Sequence, residues 1–296
     1  MKFNPSGCDI LHFARDHLRS GRRVAFATLV GIDGSSPRSP GAQIAVCETG
    51  ASVGSISSGC LERAIISEAL ASITRGKGAL ERYGKGSRFV DVVLPCGSGV
   101  DILYTVDPSL DEIEASMRRL DARRDAVLRL STRGFTSDGF ERIYRPSIRI
   151  IGAGFGPELT VFAALGEAAG YEICAMSPDE ATLEACVAAE KILLQTSDKF
   201  GEPVIDARTA AVLLFHDREW ERALAPRFLR SPAFFVGAVG GSKTAAARCV
   251  MLRDEGLDED AIARLSAPVG LVPMTRDPSA LSISILAEIL ANAPPP

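Results

Sequence analysis

The sequence predicts an α/β protein of two parts: an N-terminal α/β domain, then a C-terminal domain around a parallel sheet. Three observations carry this. The chain has 296 residues, 46% hydrophobic and 24% charged, enough apolar mass for two cores. A pattern of strand, glycine turn, helix and strand begins at Ser147. Near residue 107 strand-like sequence gives way to Asp107-Pro108 and a charged stretch from Asp111 to Arg124.

In the N-terminal part the first informative segment is Gly34-Ser35-Ser36-Pro37-Arg38-Ser39-Pro40-Gly41. Gly34 and Gly41 free the backbone while the prolines stiffen it, so Ser35, Ser36 and Arg38 are candidates to hold a phosphate or another anion. Next comes Ser57-Ser58-Gly59-Cys60-Leu61-Glu62, which opens an amphipathic helix with Leu61, Ile65, Ile66, Leu70 and Ile73 on one face. Cys60 then sits at a helix N-terminus, where unpaired amides favour a thiolate available to a soft metal or a sulfur-transfer partner. The other reading is a cysteine packed as a small hydrophobe. A third segment, Pro95-Cys96-Gly97-Ser98-Gly99, joins strands read at 90–94 and Val100–Val106, and Cys96 is either a covered packing residue or a second thiol in use.

The N-terminal domain is expected over residues 1–107 and a linker with a solvated helix and a hairpin over 108–145. The hairpin strands are Val127–Leu130 and Phe140–Tyr144, around Gly134 and Asp138-Gly139. The C-terminal domain is expected over 146–292. It opens with a strand from Ser147 to Ile151, the glycines Gly152, Gly154 and Gly156, a helix through Ala168 and a second strand from Tyr171 to Met176, which is a Rossmann-like unit. Pro157 replaces the third glycine of the dinucleotide fingerprint and Ser177 stands where an acidic residue would hold the ribose, with Asp179 two residues late. The turn therefore speaks for the fold more than for a nicotinamide cofactor, although a phosphate at the helix N-terminus stays open. Ala211–Phe215 reads as a buried parallel strand leading to His216-Asp217, with His216 either a site residue or an ordinary strand-end histidine. Gly240-Gly241-Ser242-Lys243-Thr244 follows a strand at Phe234–Val236. It lacks the glycine before Lys that a P-loop needs, which excludes ATP hydrolysis but leaves amides and Lys243 for an anion. A last helix over Ser279–Leu290 turns Leu281, Ile285, Leu286 and Ile289 to one side, as core packing.

Composition narrows the classes. A net charge of −4 gives no nucleic-acid signal, and no apolar run reaches the roughly 18 residues of a membrane span. Asp9, Arg15 and Asp16 interrupt what a signal peptide would keep apolar, so a cytoplasmic protein is expected. Seven cysteines without a CxxC pair and three histidines indicate neither a disulfide framework nor a zinc cluster. Cys8, Cys47, Cys174, Cys186 and Cys249 read as packing residues.

In order, spacing and residue type, GSSPRSPGAQ, SSGCLE and LPCGSGVDIL resemble the XdhC/CoxI family. The resemblance continues through Ile148–Asp179, Asp206–Asp217, Phe234–Thr244 and Ala267–Leu290. It implies an accessory protein, not an enzyme, that binds molybdenum cofactor in its molybdopterin form as cargo. It further implies protection of that cofactor while a cysteine desulfurase supplies the sulfido ligand, delivery to a molybdenum hydroxylase apoenzyme of the xanthine dehydrogenase type, and a homodimer. On this resemblance the cofactor-binding residues are Ser35, Ser36, Arg38, Gly41, Gly59, Cys60, Glu62, Cys96 and Gly97, joined by Gly152, Gly154 and Gly156 of the second domain, with Cys60 and Cys96 as candidate contacts to molybdenum. The family commonly shows glycine where this chain has Ser57, Ser58, Pro95 and Ser98. The alternative is an NAD(P)-dependent oxidoreductase using the Rossmann-like domain, which the altered glycine turn and the missing acidic residue disfavour.

Overall fold

The computed structural model describes residues 6–57, 59, 61–87, 97–131, 139–196, 199–215, 218–273, 275 and 277–294. Contacts divide the chain between Pro146 and Ser147.

The first unit begins with α1 (Gly7–Arg19), entered through a capping box: the Ser6 hydroxyl accepts from the Asp9 amide and the Asp9 carboxylate accepts from the Ser6 amide. Then come β1 (Val24–Asp33), β2 (Gln43–Cys47), β3 (Ser52–Gly54), α2 (Glu62–Arg75), β4 (Ala79–Gly84) and β5 (Gly99–Val106). These strands form one antiparallel sheet in the order β3-β2-β1-β5-β4. The alternation of β1 sorts its residues between two cores, as the two-residue period of a strand requires. Ala25, Ala27 and Leu29 pack with Ile65, Ala69 and Ile73 of α2, while Val24 and Phe26 pack with Ile10, Leu11 and Ala14 of α1. The segment after β5 forms α3 (Leu110–Asp121) and the hairpin of β6 (Ala126–Leu130) and β7 (Phe140–Tyr144). Ile113, Met117, Leu120, Leu128, Leu130 and Tyr144 join the α1-side core, so the helix and hairpin over 108–145 are part of this unit's packing.

Register fixes where the loops lie. Asp33 pairs with Gly99, Gly84 with Gly99, Thr28 with Gln43, and Ile44 with Gly54. The ends of β1, β3 and β4 and the starts of β2 and β5 therefore share one end of the sheet. The connections at 34–42, 55–61 and 85–98 all emerge there.

The second unit comprises β8 (Arg149–Ala153), α4 (Gly156–Ala168), β9 (Glu172–Ser177), α5 (Glu180–Ala185), β10 (Glu190–Thr196), β11 (Lys199–Phe200), β12 (Thr209–Leu213), α6 (Arg218–Arg230), β13 (Phe235–Ala238), α7 (Ser242–Asp254), α8 (Glu259–Ala263), β14 (Leu265–Ser266) and α9 (Pro278–Ala291). Its sheet runs β11-β10-β9-β8-β12-β13-β14, parallel except for the edge strand β11. Strands buried on both faces read as apolar runs, and β12 is buried at every position. The chain winds outward from β8 through β9 and β10, then returns to β12 and proceeds the other way. The reversal makes the C-terminal ends of β8 and β12 the switch point, the usual ligand crevice of such sheets. Ile285 and Ile289 of α9 pack with Leu159, Phe162 and Ala163 of α4, as the spacing over Ser279–Leu290 predicts. No helix among the described residues is long and apolar enough to cross a membrane.

Candidate functional site

The sheet end described above gathers the N-terminal motifs. The loop after β1 and the turn before β5 are tied together: the Ser35 amide donates to the Ser98 hydroxyl oxygen at 2.9 Å, and the two hydroxyls lie 3.4 Å apart. A Cβ on Gly34 would sit 2.8 Å from Ser98 Oγ, so glycine is what lets the loop approach. Ser98 is 2% exposed, while Gly97 beside it is exposed. The loop is braced internally, with the Arg38 amide donating to the Ser36 hydroxyl at 3.3 Å, and Arg38 itself is exposed. At the far end the Gly41 amide donates to the Leu29 carbonyl at 2.7 Å, returning the chain to the sheet.

Glu62 organises the second motif. Its carboxylate accepts from the Ser57 amide at 2.8 Å, from the Ser55 hydroxyl at 3.0 Å and from the Ser57 hydroxyl. Ser57 Oγ in turn accepts from the Leu61 amide at 3.1 Å, satisfying one of the orphan donors at the start of α2. Burial alone would raise the Glu62 pKa, but the bonds from Ser57, with Ser55 adding to them, outweigh it and hold the carboxyl below its ordinary value. Glu62 thus ties Ser55 and Ser57 to the start of α2.

Gly59 and Gly97 adopt φ of +103° and +67°, backbone that side chains rarely accept, and among the described residues nothing lies within 4 Å of where a Cβ would be. At both positions glycine serves the backbone conformation. Cys60 and Cys96, like Ser58, Pro95 and His216, lie outside the described residues.

Sequence reasoning missed two contributions. Ser57 and Ser98 stand where the family resemblance leads one to expect glycine, yet they make the hydrogen bonds that hold the two loops. Arg142, on β7, approaches the anion loop: a Cβ on Gly41 would meet its Nη1 at 3.4 Å, and its guanidinium lies 4.8 Å from the centre of the Tyr144 ring. Burial lowers the Arg142 pKa. No sequence signal links Arg142 to a loop so far from it along the chain.

The glycine turn of the second unit has a different character. Gly152 packs on Leu159 and Phe162, and Gly154 faces Leu214, with a would-be Cβ 2.8 Å from Leu214 Cβ. The Gly156 amide donates to Thr182 Oγ1 at 3.0 Å, and that hydroxyl donates to the Asp179 carboxylate at 2.5 Å. Pro157, next in line, has no amide hydrogen. At the switch point the half-exposed ring of Phe155 lies 6.0 Å from Phe215, which stacks against Trp220 at 6.4 Å.

Comparisons with known proteins agree with this division. Residues 17–84 match the model of the XdhC and CoxI family, and residues 148–289 match the XdhC Rossmann domain. The chain is 32% identical to the Escherichia coli (strain K12) molybdenum cofactor insertion chaperone PaoD, over 95% of this chain and 86% of that protein. It is also 26% identical to the uncharacterized protein YqeB of the same organism over 91% of this chain, spanning 44% of YqeB. A crystal structure described as a xanthine dehydrogenase from Bacillus halodurans shares the fold, with 17% identity, a TM-score of 0.76, and coverage of 95% of this chain and 94% of that one. Taken with the motifs and the two-unit architecture, these matches establish that the chain belongs to the XdhC and CoxI family.

Proposed function

We propose that this protein is a molybdenum cofactor insertion chaperone: it holds the cofactor at the loop end of the antiparallel sheet, protects it during sulfuration and delivers it to a molybdenum hydroxylase of the xanthine dehydrogenase type. The observation that carries the reading is the Ser35–Ser98 hydrogen bond, which joins the loop bearing Arg38 to the turn that follows Cys96. The relative named as an insertion chaperone, matched over nearly the whole chain, supports the same role.

The cargo is a phosphorylated pterin carrying a dithiolene-bound metal, so its holder needs an anion clasp, open backbone against a flat ring and soft donors. Ser36, Arg38 and Gly41 form the clasp. Gly59 and Gly97 supply backbone without side chains, Glu62 ties Ser55 and Ser57 to the start of α2, and Cys60 and Cys96 offer thiolates to the metal. A cysteine desulfurase is the sulfur donor, the working form is a homodimer, and the apoenzyme is the acceptor, all in the cytoplasm.

The nicotinamide reading finds less support. A dinucleotide needs amides at the start of α4 and an acidic group for its ribose, whereas the Gly156 amide and the Asp179 carboxylate are both bonded to Thr182. The test is gel filtration of purified protein mixed with molybdenum cofactor, with molybdenum measured in the protein peak and NADH titrated in parallel. Co-elution that Cys60→Ala and Cys96→Ala weaken, without change in circular dichroism, is the expected result. Saturable NADH binding with turnover and no retention of molybdenum overturns the proposal.

A further inference from the structure

The segment Gly240-Gly241-Ser242-Lys243-Thr244 opens α7 and has no part in the cofactor reading above. Gly241, at the N-cap, provides no side-chain cap, and the first turn of α7 carries no acidic residue. Its amide end is therefore left without the negative group that usually compensates it.

A second observation lies one turn along the same helix. The Arg248 side chain is 1% exposed and is paired with Glu221, at 5%, from α6. Arg248 Nε donates to Glu221 Oε2 at 3.0 Å, and Nη2 donates to Glu221 Oε1 at 2.5 Å and to the Val239 carbonyl at 2.9 Å. Nη1 is buried and donates to nothing among the described residues. Leaving a buried donor dry is unfavourable, the more so where the group is charged, so an acceptor is called for.

A cavity of about 80 Å³ lies beside the Arg248 side chain, lined by Glu221, Arg222, Thr244, Ala247, Arg248 and Met251. The one carboxylate among its described lining residues, Glu221, is already engaged by Arg248. Thr244 and Arg222, both with donor groups, are among the lining residues; Arg222 also reaches Glu255 at 3.3 Å. Ala247 and Met251 make the remainder apolar. The space admits two or three waters at about 30 Å³ each, or one tetrahedral oxyanion that meets several donors at once.

The geometry points to a binding site for a phosphate-class oxyanion between α6 and α7, in the cavity lined by Arg248, Thr244 and Arg222. Three features favour an anion over water alone: the second guanidinium among the lining residues, the turn of α7 without an acid, and no uncommitted carboxylate among the described lining residues.

Trp220, the chain's single tryptophan, precedes Glu221 and reports on the site. The full chain is titrated with inorganic phosphate, and separately with ribose 5-phosphate, at constant ionic strength against a KCl control, following Trp220 emission and Tm. A saturable change with a rise in Tm is expected, weakened several-fold by Thr244→Val and by Arg222→Ala, with the phosphate-free Tm little changed. Arg248→Lys removes the response too, and should it fail to fold, the other two variants still decide. A response to inorganic phosphate alone assigns the free ion, and an equal or tighter response to ribose 5-phosphate assigns the end of a small phosphomonoester. No response beyond KCl, or one that Thr244→Val and Arg222→Ala leave intact, overturns the site. Neither arm uses molybdenum cofactor, so the outcome is independent of the chaperone reading.

Discussion

The Ser35 amide and the Ser98 hydroxyl, 2.9 Å apart, join two loops separated by 63 positions in sequence at the edge of the candidate site. The bond is possible because β1 and β5 pair to their very ends, Asp33 opposite Gly99, so both loops leave the sheet at the same height. Ser98→Ala deletes this hydrogen bond between the loops. The expected loss is about 1 kcal/mol in urea unfolding, with a larger proportional loss in retained molybdenum, since the clasp and the Cys96 turn are uncoupled. Gly34→Ala should cost more, because it combines φ of +98° with a Cβ 2.8 Å from Ser98 Oγ. Unchanged retention in both variants would detach this bond from cofactor holding.

Glu62 makes the acid limb of stability testable. Its pKa is lowered in the fold, so its contribution is complete above the ordinary carboxylate range and is lost as pH falls through the lowered folded value. Glu62→Gln keeps the shape but gives up the charge-assisted bonds from Ser55 and Ser57. The variant should be less stable by about 1–3 kcal/mol at neutral pH, and the gap to the natural protein should close in acid. Thermal melts between pH 7 and pH 3 check this, and a gap that stays constant across the series refutes the role given to the carboxylate.

Much of the fold was legible because period and punctuation agreed with tertiary demand. Leu61, Ile65 and Ile73 fall on one face of α2 in sequence and in one core in the structure. The glycine turn at 152–156 marks a strand-to-helix turn, and the close contacts of Gly152 with Phe162 and of Gly154 with Leu214 explain why glycine stands there. The segment over 108–145 was harder. Its charges suggest a solvated linker, but Ile113, Met117 and Leu120 recur at helical spacing and are enough to bury one stripe of α3. At the site, residue types were readable and hydrogen bonding was not. Ser57 and Ser98 look like poorer substitutes for glycine until register brings Glu62 and Ser35 to them. Arg142 reaches Gly41 only through the packing of the hairpin, which no local pattern encodes.

Thiol reactivity should separate packing cysteines from others. Cys174 is 1% exposed and its pKa is pushed up to about 12, first by burial and then by Glu190. At pH 8 its thiolate fraction is therefore about one in ten thousand. Cys47 is fully buried and Cys186 nearly so, whereas Cys249 is only partly covered. Brief iodoacetamide treatment of the native protein, read by peptide mass spectrometry, should label Cys249 well before Cys174, Cys47 or Cys186. Early labelling of Cys174 would contradict the packing of β9.

Beneath the site end a buried chain of polar groups links the hairpin to the sheet. Tyr144 donates to Gln43 Oε1 at 2.7 Å, and Gln43 Nε2 donates to Thr28 Oγ1 at 2.9 Å, with all three residues 2% exposed or less. Burial raises the Tyr144 pKa, so the phenol stays a donor at any pH the protein meets. Tyr144→Phe strips Gln43 of its donor in a dry place, which should cost about 1–3 kcal/mol. In a Gln43→Leu background the acceptor is gone and the same substitution should cost little, giving a coupling energy of about 0.5–3 kcal/mol across the four proteins. Strictly additive losses in urea unfolding would show that the two residues do not act through each other. Coupling, by contrast, ties the hairpin to the start of β2, and since Gly41 and Arg142 meet just above that junction, Tyr144→Phe should also loosen the anion loop and lower molybdenum retention.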